Sequence, residues 1–212
     1  MRHCCIRRTA TPTPSGPPCS GPPEMVPAGP GPHPGRVEER RDAGQDDNAY
    51  MPVPPSLRRR GTSDIDTLIS WIPDEAALLM FTGRRMAWPP TERQFAELAD
   101  IPGLTAWVLE SQPPPGKVLG QAELYVHEGH AHIARVIIDP RFRGRGLSQQ
   151  LIRLVLDRAR AEGAGSAGLR VVKGNAIALR AYRRLGFVID PRGETADALM
   201  LELDLSQPAA TG

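Results

Sequence analysis

The spacing of polar and apolar residues changes several times along the chain, and each change marks an element. Within Leu147–Glu162, Gln149, Gln150, Arg153, Asp157 and Arg160 share one arc at ~100° per residue, with Leu147, Leu151, Leu154 and Val155 opposite. This is the pattern of an amphipathic helix. In Lys117–His127 the period is two: Val118, Gly120, Ala122, Leu124 and Val126 point one way, and Gln121, Glu123, Tyr125 and His127 the other. Glu128-Gly129 is a turn signal that folds this strand back into His130–Ile138.

Upstream, Ser63 or Asp64 is placed to cap a helix carrying Ile65, Leu68 and Ile69 and ending at Trp71. Pro73 suits the first position of a second helix, with Asp74 and Glu75 in its first turn and Ala76, Leu79 and Met80 inside. Pro89-Pro90-Thr91 introduces a third, Glu92–Ala99. Ser56–Arg60 reads as a short edge strand and Leu104–Glu110 as another. After the long helix come a strand at Ala167–Val172 and a helix at Asn175–Leu185 with Gly186 as its stop. Phe187–Ile189 and Ala198–Leu205 complete a sheet. Helices first, then an antiparallel hairpin, then a βαβ unit: this order predicts a mixed α/β (α+β) domain with one sheet.

Composition limits that domain. Of 23 prolines, thirteen lie between Pro12 and Pro55, among glycine, serine and charge. Such a stretch cannot bury enough apolar surface to offset its ordering entropy, so residues 1–54 are expected to be a disordered tail. The folded domain is expected over 55–206, with a short tail at 207–212. Met25 or Met51 is a candidate translation start; an endogenous peptide from residues 26–45 would exclude Met51.

Charge and cysteines narrow the partners. Lys and Arg number 26 against 24 Asp and Glu, a net charge of +2, which gives no general attraction for polyanions. Arg58–Arg60 and Arg183-Arg184 come with no recognition-helix motif, so no nucleic acid is expected. Cys4, Cys5 and Cys19 lack a second ligand pair at zinc spacing and read as free thiols of a reducing compartment. No stretch approaches the ~18 apolar residues of a membrane span, and no apolar core follows the basic start as in a signal peptide. A cytoplasmic protein with no membrane partner is the expectation.

Candidate chemistry begins at Arg143-Gly144-Arg145-Gly146-Leu147-Ser148, which lies between the strand and the long helix. A glycine-rich turn at a helix start aims unpaired backbone N–H groups and the positive dipole end at a pyrophosphate. No Gly-Lys-Ser/Thr follows, and the spacing is not that of a dinucleotide fold. Further on, Asn175 and Tyr182 stand seven apart on a helix that ends Leu185-Gly186-Phe187, which puts them on one face.

With Val136-Ile137-Ile138-Asp139-Pro140 ahead of the turn, these segments strongly resemble the GNAT N-acetyltransferase superfamily. The family reads Gln/Arg-x-x-Gly-x-Gly/Ala, here Arg143-x-x-Gly146-x-Ser148. Its later helix reads Asn-x-x-Ala-x-x-x-Tyr-x-x-x-Gly-Phe, here Asn175 to Phe187. The resemblance covers about residues 56–205. It implies a single, mostly antiparallel sheet, splayed at a CoA cleft and flanked by helices.

It also implies acetyl-CoA as cosubstrate, an amine-bearing acceptor, no metal, and room for a homodimer. Arg143, Gly144, Arg145, Gly146, Leu147 and Ser148 then face the pyrophosphate, and Val136, Ile137 and Ile138 pair with the pantetheine arm as a strand would. Asn175 holds the pantetheine or acetyl end, and Tyr182 protonates the departing thiolate. The other reading of Tyr182, a core aromatic on an amphipathic helix, is the weaker one. The alternative function is an acyl-CoA-binding sensor or scaffold, which would not need Tyr182. Arg170 stands where ribosomal-protein N-terminus acetyltransferases often carry Glu, which weakens that substrate and leaves the base unassigned. Glu123, which shares a face with Tyr125 and His127, is the candidate, although a solvated strand face is the plainer reading. His127, His130 and His132 read as hairpin-edge residues rather than metal ligands. The acceptor pocket is expected between the helices of 63–99 and the hairpin 117–132.

Overall fold

The computed structural model describes residues 53–206. The expected tails, save residues 53 and 54, lie outside the described residues, as do the three cysteines. Seven strands form one sheet in the order β1-β2-β3-β4-β5-β7-β6. They are β1 (Ser56–Arg59), β2 (Thr105–Glu110), β3 (Val118–His127), β4 (His130–Ile138), β5 (Ser166–Val172), β6 (Val188–Asp190) and β7 (Ala198–Asp204). Every neighbouring pair is antiparallel except β4 and β5. The helices are α1 (Ile65–Ser70), α2 (Glu75–Thr82), α3 (Glu92–Ala99), α4 (Leu147–Ala161) and α5 (Ala176–Arg183).

Local chemistry sets the helix ends. At α2 the Asp74 carboxylate accepts the Ala77 N–H at 2.7 Å, so Asp74 is the cap and the helix starts at Glu75. Pro73, expected inside that first turn, therefore lies before it. Thr91 and Gln94 form a reciprocal capping box at α3. Helix α5 is shorter than the apolar pattern predicts. Gly186, at φ +92°, turns the chain back, and Phe187 N–H then bonds the Tyr182 carbonyl at 3.2 Å.

The sheet is covered on both faces. Leu151, Ile152 and Val155 of α4 are buried with Ala122, Leu124 and Ile133 of the strands, each large apolar side chain contributing ~1.5–3 kcal/mol. Leu68, Trp71, Leu78 and Phe95 of the first three helices and their turns pack on the other face around Ile137. Gln121 and Glu123 lie on this second face. The alternating pattern suggested solvent there, yet they are 0% and 1% exposed.

Candidate active site

The site starts where two parallel strands part. The β4–β5 ladder runs from His130↔Ser166 to Ile133↔Leu169 and stops, although β4 continues to Ile138 and β5 to Val172. The cause lies on the other side of β4. Its register with β3 goes from Glu123↔Ala134 to Gln121↔Ile137, three residues of β4 against two of β3. The extra residue makes a β-bulge, which bends a strand away from its neighbour. Arg135 occupies the bulge at φ +46°, a left-handed conformation uncommon for a residue with a side chain.

A cleft of about 60 Å³ lies in the resulting V, with Val136 on one wall and Val171 on the other. Phe81 of α2, together with Asn175 and Tyr182, completes its lining. A wider cavity of about 560 Å³ lies between Arg60–Ile65 and α3, and none of Tyr182, Asn175 or the glycine turn lines it. Val136, Asn175 and Tyr182 line the smaller cleft. Ile137 and Ile138, expected beside Val136 along the pantetheine path, are buried and turn their side chains into the two cores.

The turn after β4 is rigidly built. Asp139 is 0% exposed and accepts the Arg141 N–H at 2.9 Å and its guanidinium at 2.6 Å. Burial alone would raise this carboxyl, but the hydrogen bonds from Arg141 outweigh it and hold it below the usual range. Arg143 turns back, its Nε donating to the Ile138 carbonyl at 3.2 Å. Gly144 and Gly146 have φ of +78° and +77°, and Gly146 caps α4.

No side chain caps that helix start, and no acidic residue stands in its first turn. The N–H groups of Leu147 and Ser148 precede the first intrahelical bond, made by Gln149 to Gly146, and so suit an external anion. Beside them Lys117, Arg141 and Arg145 bring their charges within 5.5, 5.9 and 5.3 Å of the Phe142 ring centre. This cationic collar was not read from sequence, because Lys117 comes from a loop far away in the chain.

Asn175 caps α5, its side-chain oxygen accepting the Ala178 N–H at 3.1 Å. That leaves the amide NH2 as the part able to address a ligand. One helix face carries both Asn175 and Tyr182 to the cleft. Tyr182 is buried against Phe187, ring centres 6.0 Å apart and edge to face. Burial pushes its phenol above the ordinary value, so it is protonated at any neutral pH.

Glu123 is placed differently from a solvated face. Arg135 Nε donates to its Oε2 at 2.6 Å with a second bond from the same guanidinium, and Arg60 reaches its Oε1 at 3.3 Å. Both oxygens are engaged within the protein, away from an amine arriving from solvent. Tyr125 stacks on His127 and His132, and His130 Nδ1 lies 2.8 Å from Ser166 Oγ. Among the described residues no group of three or more His, Cys, Asp or Glu side chains is arranged to hold a metal. None of the described helices is long and apolar enough to cross a membrane.

A sheet that splays around a cleft lined by a buried tyrosine, with an uncapped glycine turn at the start of α4, is the arrangement expected of a GNAT acyltransferase. The family model for the acetyltransferase (GNAT) family matches residues 73–187, more than half of the chain. The chain belongs to that family. A 55-residue segment is 44% identical to streptothricin acetyltransferase of Streptomyces lavendulae, covering 26% of this chain and 29% of that protein.

Among solved structures, the fold resembles spermidine N-acetyltransferase from Vibrio cholerae in complex with CoA and spermine. That match has a TM-score of 0.59 and 18% identity over 72% of this chain and 96% of the other. It also resembles ribosomal-protein-S18-alanine N-acetyltransferase from Escherichia coli, with a TM-score of 0.55 and 21% identity over 74% and 97%. At these identities the likeness is one of fold.

Proposed function

We propose that the protein is an N-acetyltransferase that moves acetyl from acetyl-CoA to a primary amine by direct attack on the thioester. The observation that carries the reading is Tyr182, a buried phenol lining the cleft where β4 and β5 part. The glycine turn at α4 addresses the pyrophosphate, and the open edge of β4 at Val136 offers backbone groups to the amides of the pantetheine arm. In the reaction the neutral amine forms the new C–N bond, backbone donors polarise the carbonyl oxygen, and the C–S bond breaks. Tyr182 gives its proton to the leaving thiolate, and the proton lost by the amine passes through water to restore the phenol. Burial keeps the phenol protonated until a thiolate forms beside it, while making it a weaker acid than a free phenol.

The acceptor enters from the side covered by α1–α3. The test is free-thiol release from acetyl-CoA across an amine panel. Turnover with at least one amine, lost in Tyr182→Phe, supports the enzyme. CoA binding with no turnover on any amine, and no effect of Tyr182→Phe, would make the protein a sensor or scaffold.

A further inference from the structure

Arg135, a residue with a full-length side chain, is held at φ +46° in the middle of a strand, a conformation that persists only where its surroundings fix it. Something must hold it there, because an unbulged β4 would stay paired with β5 and close the cleft. The groups that hold Arg135 come from β3 and from Arg60. Glu123 of β3 takes two hydrogen bonds from the Arg135 guanidinium. Gln121, also of β3, donates its side-chain amide to the Arg135 carbonyl at 3.3 Å, in the stretch where the register shifts.

Arg60 bridges those two, its Nη1 lying 2.8 Å from Gln121 Oε1 and 3.3 Å from Glu123 Oε1. Gln121 and Glu123 are 0% and 1% exposed, and Arg135 is 8% exposed. In so dry a setting a guanidinium without its carboxylate is strongly disfavoured, so the pairing dictates where Arg135 can sit.

We propose that Gln121, Glu123 and Arg60 form a clamp on the bulge, and that Glu123 is a positioning residue for CoA binding rather than the proton acceptor. The clamp holds both ends of Arg135, side chain and carbonyl, from the β3 side. The β5 side of β4 is thereby left open, and that is the side on which the cosubstrate is read to bind. If the clamp is lost, the bulge relaxes toward a regular strand and only a fraction of molecules present an open cleft. Apparent affinity then falls by that fraction. The proposal rests on the acetyltransferase reading for its ligand but not for its geometry.

The test uses four proteins: wild type, Glu123→Gln, Arg135→Gly, and the two changes together. Glycine takes φ +46° without strain and carries no guanidinium, so it relieves both demands on the clamp. CoA is titrated by calorimetry without acceptor. Glu123→Gln is expected to weaken CoA about tenfold or more, and the double variant to recover to within about threefold of wild type. At saturating acetyl-CoA and amine, kcat of the double variant, which lacks the carboxylate, stays within about threefold of wild type.

Hydrogen exchange of residues 134–137 follows the same order with no ligand present: faster in Glu123→Gln, restored in the double variant. A Glu123→Gln protein that binds CoA like wild type but loses kcat would make Glu123 the base and overturn the clamp. So would a double variant no better than Glu123→Gln in binding and exchange. Failure of the wild type to bind CoA would instead sink the acetyltransferase reading, with the exchange data still deciding the clamp.

Discussion

The placement of the phosphate site is best tested at Gly146 with three substitutions that separate backbone strain from charge. Gly146 sits at φ +77° with nothing within 4 Å of where a Cβ would be, so a side chain costs conformation and not space. Alanine there should cost ~1–2 kcal/mol for the left-handed backbone, and asparagine less, since it visits that region more readily. Aspartate has the shape of asparagine and adds one negative charge.

At ~5 Å from a phosphate charge, with an effective dielectric between ~20 and ~80, that charge costs about 1–3 kcal/mol. The Asp-to-Asn ratio in CoA affinity is therefore expected to be roughly 5- to 150-fold at low ionic strength, shrinking as salt is added. Calorimetric titration with CoA reads the ratio directly. Thermal unfolding supplies the control, because an acidic group at a helix start favours the free protein: Gly146→Asp should melt no lower than Gly146→Asn. Equal affinity of the Asp and Asn variants at low salt would refute the placement of the pyrophosphate at this turn.

Three further outcomes follow from the same structure. Tyr182→Phe should lower kcat by ~10²–10⁴-fold, the usual worth of a positioned acid, with CoA affinity changed little; an unaltered kcat in pre-steady-state chemistry would remove Tyr182 from the reaction. Gly120→Ala should destabilise the domain by ~1–3 kcal/mol through overpacking, because the new Cβ would lie 2.5 Å from Ile138 Cδ1 and 2.9 Å from the Ile137 carbonyl; urea unfolding measures it, and a neutral result would mean that β4 shifts freely. His132 is held below the ordinary imidazole value by burial and then by His130, Arg170 and His127. The unfolded chain therefore takes up this proton first, and stability present above pH ~6.5 is lost as pH falls through the lower folded value. His132→Gln should flatten that slope in urea unfolding, and an unchanged slope would show that His132 does not contribute to it.

How much of this was legible in the sequence depends on whether the determinants are consecutive in the chain. The glycine turn and the helix before Gly186 are local signals: glycines between a strand and an apolar helix, and a glycine stop. The turn and the stop stand where the sequence places them, while α5 is shorter, Ala176–Arg183, with Asn175 as its cap instead of its first residue. The bulge is not local. Ala134-Arg135-Val136 reads as ordinary strand, and its conformation is held from across the sheet by Gln121 and Glu123. Those two residues in turn looked solvent-facing, because a period of two reports that one face differs from the other and not what covers it. Here α1–α3 cover it, and the polar side chains are satisfied by Arg60 and Arg135. The collar around Phe142 was hidden for the same reason, since Lys117 reaches it only through the fold.

The parting of β4 from β5 also bears on what else the molecule must avoid. From Ala134 onward β4 ceases to be an interior strand and becomes an edge, and bare strand edges invite other chains to add to them. The usual remedies, a charge or a proline along the edge, would spoil it for a ligand. The V shape is itself protective. The cleft between Val136 and Val171 is narrow, about 60 Å³, and a polypeptide strand carries side chains on alternate faces that have no room between the two walls. The same narrowness disfavours the addition of a further strand along this edge.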